Sequence, residues 1–211
     1  MMKLFQFWNS TQAPEDVEKL LETWKVDSAF DYQRFSLETA DAFIEGHFDA
    51  RTLAAFRACG VPAMQADFFR YCALYANGGI YVDADTENGG NLPEMLEGRS
   101  RGLLMQREDR VANDFLYVTC KQDPLYALVI ERAIENVESR RSNNVWEITG
   151  PGIMTRMYNT PNTRGHFEGF DFESVWTVKR YLNFRNDLAY KDSANDWRKS
   201  LTPESKSIYL P

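Results

Sequence analysis

The segment from Ala66 to Thr86 constrains the fold of this chain more than any other part of the sequence. Its first half has apolar residues at helical spacing, and Asn77-Gly78-Gly79 predicts that the helix ends there in a left-handed cap. The apolar residues that follow predict a buried strand, and a helix leading into a buried strand is typical of a parallel α/β sheet. Because strand side chains alternate, we expect Tyr81, Asp83 and Asp85 to share one face.

Two neighbouring aspartates at the end of a predicted strand indicate a cation site. Asp83 and Asp85 repel each other unless a positive charge lies between them. Carboxylate oxygens are hard ligands that suit Mg²⁺ or Mn²⁺, and these ions usually arrive with a substrate phosphate. The structural alternative is a pair of turn-forming acids at a strand exit. The pattern therefore favours a metal-dependent enzyme that acts on a phosphorylated substrate.

The rest of the chain favours a mainly parallel sheet flanked by helices, because predicted strands and helices alternate. We find no internal repeat or linker, so residues 1–211 are expected to form a single domain, which could be one domain of a longer polypeptide. Predicted strands cover residues 3–8, 31–36, 80–85, 103–105, 115–118 and 175–184; predicted helices cover 14–25, 37–44, 49–59, 63–76 and 124–139; residues 86–93 are predicted to be a loop.

Composition excludes several classes of protein. The formal net charge of −7 argues against a general nucleic-acid binder, which needs a basic surface. The sequence shows neither a long apolar run typical of a membrane-spanning helix nor a signal peptide at its N-terminus. Cys59, Cys72 and Cys120 are an odd number without metal-ligand spacing. We therefore expect a soluble cytoplasmic protein with reduced thiols.

Two kinds of enzyme place Asp-x-Asp at a strand end. One is the haloacid-dehalogenase-type phosphatase, whose apolar strand and Asp-x-Asp-x-Thr are similar to Ile80–Thr86. That resemblance would make Asp83 the nucleophile and Asp85 the general acid of a Mg²⁺-dependent reaction. Its motif normally lies near the N-terminus and is followed by a second acidic pair, for which Asp192 and Asp196 are a weak substitute.

The other kind is the retaining nucleotide-sugar glycosyltransferase of the GT-A type, which is Rossmann-like. Asp67, Arg70, the double glycine and Asp-x-Asp resemble, with their spacing, the capsular-polysaccharide and initiation-type mannosyltransferase-like family. They are similar also to the glucosylating domain of large clostridial toxins. Fainter similarities add the first strand ending at Trp8, the segment 113–115 and Thr149-Gly150-Pro151, so that about two thirds of the chain is covered.

The resemblance implies roles for the charged residues. Asp85 would bind the Mn²⁺ or Mg²⁺ directly, while Asp83 would contact ribose or sugar hydroxyls and assist the metal. Asp67 and Arg70, which share a helix face, would hold the donor sugar. The structural alternative for Asp67 and Arg70 is a surface ion pair. On this interpretation the catalytic residues are Asp83, Asp85 and Arg70.

The resemblance also implies donor-binding and metal roles for less distinctive residues. Trp8, beside Phe7 at the end of the first strand, would stack on the base, which we expect to be uracil. Tyr81 would present a hydroxyl to the ligand, Asn113 would hold the donor or acceptor sugar, and His166 would be an extra metal ligand. The alternatives are core packing for Phe7, Trp8 and Tyr81, a turn for Asn113 and an ordinary structural role for His166.

The acceptor side is less defined by the sequence. The turn Gly150-Pro151-Gly152 could shape it, and Trp146 and Trp176 could form a platform there, with core packing as the preferred alternative for both tryptophans. The resembled family retains anomeric configuration, and no carboxylate stands out as a nucleophile, so we expect front-face attack. The expected donor is a UDP-hexose such as UDP-glucose, with a deoxyhexose or a GDP-sugar left open, and the acceptor is a glycan or another hydroxyl compound. A catalytically inactive sugar-nucleotide binder is the third possibility.

Overall fold

The computed structural model describes residues 1–192 and 207–210. Within these residues the chain forms a six-stranded central sheet with the order β2-β1-β3-β6-β5-β7, and a two-stranded ribbon of β4 and β8. The strands are β1 (Met2–Phe7), β2 (Phe30–Phe35), β3 (Gly79–Val82), β4 (Thr86–Asn88), β5 (Gly102–Arg107), β6 (Arg110–Val118), β7 (Phe170–Ser174) and β8 (Leu182–Phe184).

Helices precede or follow most of these strands in the described part of the chain. Their bounds are α1 (Glu15–Lys25), α2 (Leu37–His47), α3 (Ala50–Ala58), α4 (Pro62–Asn77), α5 (Leu92–Leu96), α6 (Pro124–Ser139), α7 (Val145–Ile148), α8 (Gly152–Asn159), α9 (Pro161–Arg164) and α10 (Val175–Val178). Two short 3₁₀ turns complete the set, at Gly165–Phe167 and Ala189–Asp192.

The central sheet is mainly parallel, as the sequence predicts. Strand β1 pairs in parallel with β2 and β3, and β5 pairs in parallel with β7. Strand β6 lies antiparallel between β3 and β5, so β3 and β5 run in the same direction. The carboxyl ends of β1, β3 and β5 therefore meet at one edge of the sheet, where ligands of open α/β sheets usually bind.

Alternation along the strands divides the interior into two cores. Phe5 and Tyr81 project to the face covered by α2, α3, α4 and α6. Leu4 and Ile80 project to the opposite face, where they pack with Trp24 of α1. The sheet is thus covered by helices on both sides, which explains why its central strands are near-continuous apolar runs.

The double glycine ends α4 and turns the chain into β3. Gly78 and Gly79 have φ angles of 68° and 93°, which favour glycine over other residues. A Cβ atom on Gly79 would lie 2.6 Å from the carbonyl oxygen of Lys3, so the chain approaches β1 closely here. The predicted glycine stop is confirmed, but the predicted left-handed cap is wrong, because Gly78 has a ψ of −166° and lies outside the left-handed helical region.

Two predicted segments differ from the structure. Residues 175–184, predicted as a strand, instead form the one-turn helix α10 and then β8, while the edge strand β7 lies just before them. Part of the loop predicted for residues 86–93 is β4, which pairs antiparallel with β8. Both errors concern strands of three to five residues, whose pairing depends on distant partners that a local pattern does not reveal.

Candidate functional site

A cavity of about 960 Å³ opens at the carboxyl edge of the central sheet. Its walls come from the ends of β1 and β3, from α4, from β6 and from the segment around α7 and α8. Seven of the residues predicted to be catalytic, donor-binding or metal-binding line it: Phe7, Trp8, Asp67, Arg70, Asp83, Asp85 and Asn113. The acceptor-side candidates Trp146 and Pro151 line it as well. The fold therefore brings together most of the predicted site.

The two aspartates do not continue the strand. β3 ends at Val82, and Asp83-Ala84-Asp85 forms a turn in which the amide of Thr86 donates to the carbonyl of Asp83 at 3.0 Å. The alternation that would align Tyr81 with both aspartates therefore stops at Val82. Asp83 reaches towards α4, whereas Asp85 reaches towards the segment that follows β8.

Tyr81 is a core residue and does not line the cavity, contrary to the ligand-facing position expected from the sequence. Its side chain is completely buried, and the guanidinium of Arg70 lies 4.5 Å from the centre of its ring. The aromatic ring of Tyr81 stabilises the guanidinium of Arg70 from the core side through a cation–π contact. We therefore place Tyr81 beneath the site and not in it.

Arg70 connects the two acidic groups of the site. One terminal nitrogen lies 3.0 Å from the carboxylate of Asp67 and 2.9 Å from that of Asp83. The other terminal nitrogen donates to the carbonyl of Asn113, and Nε donates to the carbonyl of Ala66 at 3.2 Å. Since only 3% of Arg70 is exposed, this is a buried bridge and not the surface ion pair that the sequence left open.

Asn113 holds Asp67 in place. Its side-chain amide donates to Asp67 at 2.8 Å and to the hydroxyl of Tyr71 at 2.9 Å. Asn113 lies within β6, not in a turn. The geometry makes Asn113 a positioning residue for Asp67 as well as a wall of the cavity.

Burial and neighbouring carboxylates raise the pKa of Asp83 to about 8, although Arg70 acts in the opposite direction. One of those carboxylates is Asp114, which pairs with Arg107 and whose own pKa is raised, mainly by burial. Asp114 directly follows Asn113 in the sequence, but no motif predicted a role for it. Acidic groups thus exceed nearby basic groups around Asp83, which favours binding of an additional cation.

Asp85 meets a segment that the sequence did not connect with the site. The ammonium of Lys191 lies 2.7 Å from its carboxylate, and the hydroxyl of Tyr190 donates to it at 3.2 Å. The amide of Arg185 donates to the carbonyl of Asp85 at 3.0 Å. Tyr190 follows Asp85 by 105 residues, so no local signal could reveal the contact.

The two aromatic residues at the end of β1 differ in exposure. Phe7 is 4% exposed, and its ring lies 5.7 Å from that of Phe69. Trp8 is half-buried and lies edge-on to Tyr190 with 5.2 Å between ring centres. Trp8 therefore presents the larger aromatic surface to the cavity, while Phe7 belongs mostly to the core.

The structure does not bring His166 to the aspartates. A guanidinium nitrogen of Arg101, the residue before β5, donates to the carbonyl of His166 at 2.9 Å. Gly102 pairs with Val118, which pairs with Gly79 at the start of β3. Asp83 follows the other end of β3, so His166 lies at the opposite edge of the sheet and is not a ligand candidate here.

The described residues supply few ligands for a metal. They contain no group of three or more histidine, cysteine, aspartate or glutamate residues that could hold an ion. Asp83 and Asp85 offer the hard oxygens that Mg²⁺ and Mn²⁺ prefer, and these ions often bind one or two carboxylates together with substrate phosphates. The two aspartates fit that pattern.

The tryptophans Trp146 and Trp176 are not core residues. Trp146 is 36% exposed and lines the cavity, whereas Trp176 is 72% exposed elsewhere. The preferred core interpretation of both is therefore wrong.

No helix in residues 1–192 or 207–210 has the length and apolarity needed to cross a membrane.

An acidic turn after a central parallel strand, facing a cavity with an aromatic wall, agrees with the GT-A fold that the sequence resemblance implies. Comparison with solved structures confirms this fold class. The chain resembles a structure titled "PaToxG Glycosyltransferase" with a TM-score of 0.58 and 18% identity, over 75% of this chain and 69% of that one.

Comparisons of sequence agree with the predicted resemblance. Residues 6–101 match the family model described as "Glycosyltransferase sugar-binding region containing DXD motif", and this match includes α4, the double glycine and the acidic turn. "Putative glycosyltransferase HOC1" of Saccharomyces cerevisiae is 24% identical over 184 residues, which are 72% of this chain and 46% of that protein. "Initiation-specific alpha-1,6-mannosyltransferase" of Schizosaccharomyces pombe is 30% identical over 86 residues, 37% of this chain and 22% of that protein. The chain therefore spans less than half the length of these curated relatives.

Proposed function

We propose that this chain is a metal-dependent glycosyltransferase that moves a hexose from a nucleotide sugar to a hydroxyl group. The observation that carries the proposal is the buried bridge of Arg70 between Asp67 and Asp83, at a cavity that Asp85 also lines. All four residues lie in the segment that matches the sugar-binding region with its DXD motif. A buried ion pair is weak evidence for stability, because desolvation offsets the attraction between the charges, so a functional role is the better explanation of this group.

The cavity suggests how a donor would bind. The base would stack on the exposed part of Trp8, and the diphosphate would lie beside Asp83 and Asp85. Asp67, fixed by Asn113, would accept hydrogen bonds from sugar hydroxyls, and Arg70 would donate to sugar or phosphate oxygens. When bound, Mn²⁺ or Mg²⁺ would neutralise charge that develops on the leaving diphosphate.

The donor is expected to be a UDP-hexose, with UDP-glucose as the first choice from the sequence. One relative is named a mannosyltransferase, which makes GDP-mannose the second choice. A few hydroxyl and base contacts decide between such donors. Both belong in the first donor panel, together with a dTDP-deoxyhexose.

Retention of anomeric configuration is part of the proposal. In the part of the chain that the structure describes, three carboxylates line the cavity and each is paired: Asp67 with Asn113 and Arg70, Asp83 with Arg70, and Asp85 with Lys191. None is therefore free to act as a covalent nucleophile. Front-face attack, in which the leaving diphosphate accepts the acceptor's proton, needs only positioning and charge stabilisation. The anomeric configuration of the product, determined by NMR, tests retention, and an inverted linkage would contradict front-face attack.

The central experiment compares the donor panel with and without Mn²⁺, using release of nucleoside diphosphate as the readout. Asp85→Asn should reduce turnover at least a hundredfold and leave the circular dichroism spectrum unchanged, because Asp85 is partly exposed. Asp187→Asn is a matched control, since it removes a nearby exposed aspartate that pairs with Arg185. Full activity of Asp85→Asn would contradict the proposal. Metal-dependent release of phosphate from p-nitrophenyl phosphate would support the phosphatase instead, and donor binding without turnover would indicate an inactive binder.

A further inference from the structure

Trp146 forms an aromatic wall of the cavity that the proposed donor contacts do not use. Trp146 is 36% exposed, whereas Val145, which precedes it in the sequence, is buried. Trp146 and Pro151 line the same cavity as Asp67 and Arg70. A large aromatic surface left open in a cavity that also carries a few charged groups commonly marks a binding position.

The surrounding backbone fixes Trp146 in this exposed position. A Cβ atom on Gly152 would lie 2.5 Å from the carbonyl oxygen of Trp146 and 2.6 Å from its indole ring, so the ring lies directly against the glycine. A Cβ atom on Gly150 would lie 2.8 Å from the Cα of Trp146. The side-chain oxygen of Asn144 accepts the amide hydrogen of Trp146 at 3.1 Å. Because Gly150 and Gly152 have no Cβ atom, Trp146 packs closely against both residues while its indole ring remains exposed to the cavity.

The location of α7 places Trp146 on the side of the cavity that α4 forms. Helix α7 packs against α4, which carries Asp67 and Arg70, and against α6 and α8. Asn136 of α6 anchors it by donating to the carbonyls of Glu147 and Ile148 at 3.2 and 3.0 Å. Trp8, in contrast, follows β1 and packs on Tyr190. The two tryptophans are therefore carried by different walls of the cavity.

We propose that Trp146 is a stacking platform for a sugar ring of the acceptor, and hence that the acceptor is a glycan. This inference rests on the proposed function of the same site. One face of a pyranose ring carries C–H groups that pack on an aromatic surface, while its hydroxyls remain available to polar groups and water. A cavity of about 960 Å³ lies at the upper end of the roughly 300–1,000 Å³ of small-molecule sites, which leaves room for a second ring beside the donor.

A direct binding test uses the protein labelled with 5-fluorotryptophan and observed by ¹⁹F NMR. The resonances of Trp146 and Trp176 are assigned by their loss in Trp146→Phe and Trp176→Phe. Titration with a mannose disaccharide and a glucose disaccharide, in the presence of UDP or GDP and Mn²⁺, should shift the Trp146 resonance saturably and leave the Trp176 resonance in place. Absence of any shift with either disaccharide, or an equal shift of both resonances, would overturn the inference.

Kinetics provide the second test. Trp146→Ala should raise the acceptor KM at least tenfold while the donor KM stays within twofold, and Trp146→Phe should lie between it and the unmodified protein. Trp176→Ala is the control, because this exposed tryptophan contacts Lys179 outside the cavity. If the donor turns over but only peptide hydroxyls accept the sugar, this inference fails and the proposed function stands. If no nucleotide sugar turns over, the proposed function fails, and the ¹⁹F titration still decides whether Trp146 binds a sugar.

Discussion

The guanidinium of Arg70 bridges two carboxylates at the wall of the cavity. Arg70 is almost completely buried, and it contacts Asp67, Asp83 and the ring of Tyr81. Replacing a buried ion pair with apolar residues can be neutral, but removing one partner leaves an uncompensated buried charge. Arg70 therefore matters for stability because its loss would leave the carboxylates of Asp67 and Asp83 without a counter-charge.

Arg70→Met should lower the free energy of unfolding by about 3–5 kcal/mol, because Asp67 and Asp83 would lose their counter-charge. Urea denaturation monitored by circular dichroism measures this change. Arg51→Met is the matched control: Arg51 also bridges two carboxylates, Glu131 and Glu138, but on the surface. Its loss should cost less than about 1 kcal/mol. Equal effects of the two substitutions would show that the burial of Arg70 has no energetic consequence.

At the scale of secondary-structure elements, the short segment after β8 decides what surrounds Asp85. Lys191 reaches the aspartate from a 3₁₀ turn and donates also to the carbonyl of Arg185 at 2.6 Å. Tyr190 of the same turn packs on Trp8. One segment thus contacts both the acidic turn and the aromatic residue that is expected to hold the base.

Lys191→Gln should tighten the binding of Mn²⁺ in the absence of donor by severalfold. The ammonium lies 2.7 Å from the Asp85 carboxylate, so it competes with any cation for those oxygens. Isothermal titration calorimetry at constant ionic strength measures the affinity. Lys19→Gln removes an exposed lysine that pairs with Glu15 on α1 and should leave the affinity unchanged. Unchanged or weaker binding by Lys191→Gln would contradict the competition.

At the scale of the whole molecule, ligand binding should appear as increased thermal stability. A ligand at a hundred times its Kd stabilises the folded state by about 2.7 kcal/mol, which raises Tm by roughly 5–11 °C for a chain of this size. We expect one nucleotide sugar of the panel to give such a shift with Mn²⁺ and a much smaller one with EDTA. The Asp85→Asn protein should lose the metal-dependent part. A Tm shift of equal size with and without metal would show that nucleotide binding does not depend on a metal ion held by the aspartates.

Much of this fold follows from local sequence patterns. Helix α6 has the predicted bounds, α4 ends at the predicted glycines, and β1 ends beside the predicted Trp8. These elements are long or are bounded by residues that end them, such as the two glycines after α4, so short-range sterics and periodicity are enough to predict them. Strand β4 was predicted as a loop, β7 was not predicted, and β8 occupies only the last part of the strand predicted for residues 175–184; all three are short and depend on pairing with distant residues.

The sequence alone determined which residues carry the charge, and its resemblance to a known family implied that Asp67, Arg70, Asp83 and Asp85 act together, because the motif that carries this resemblance is a local stretch of one helix, one turn and one strand. Only the tertiary structure decided that Arg70 is a buried bridge, that Lys191 reaches Asp85, and that His166 lies at the far edge of the sheet. It also decided that Tyr81 supports the site from the core and that Trp146 faces the cavity. These are contacts between distant parts of the chain, and burial depends on the packing of all elements together, which no short stretch of residues encodes by itself.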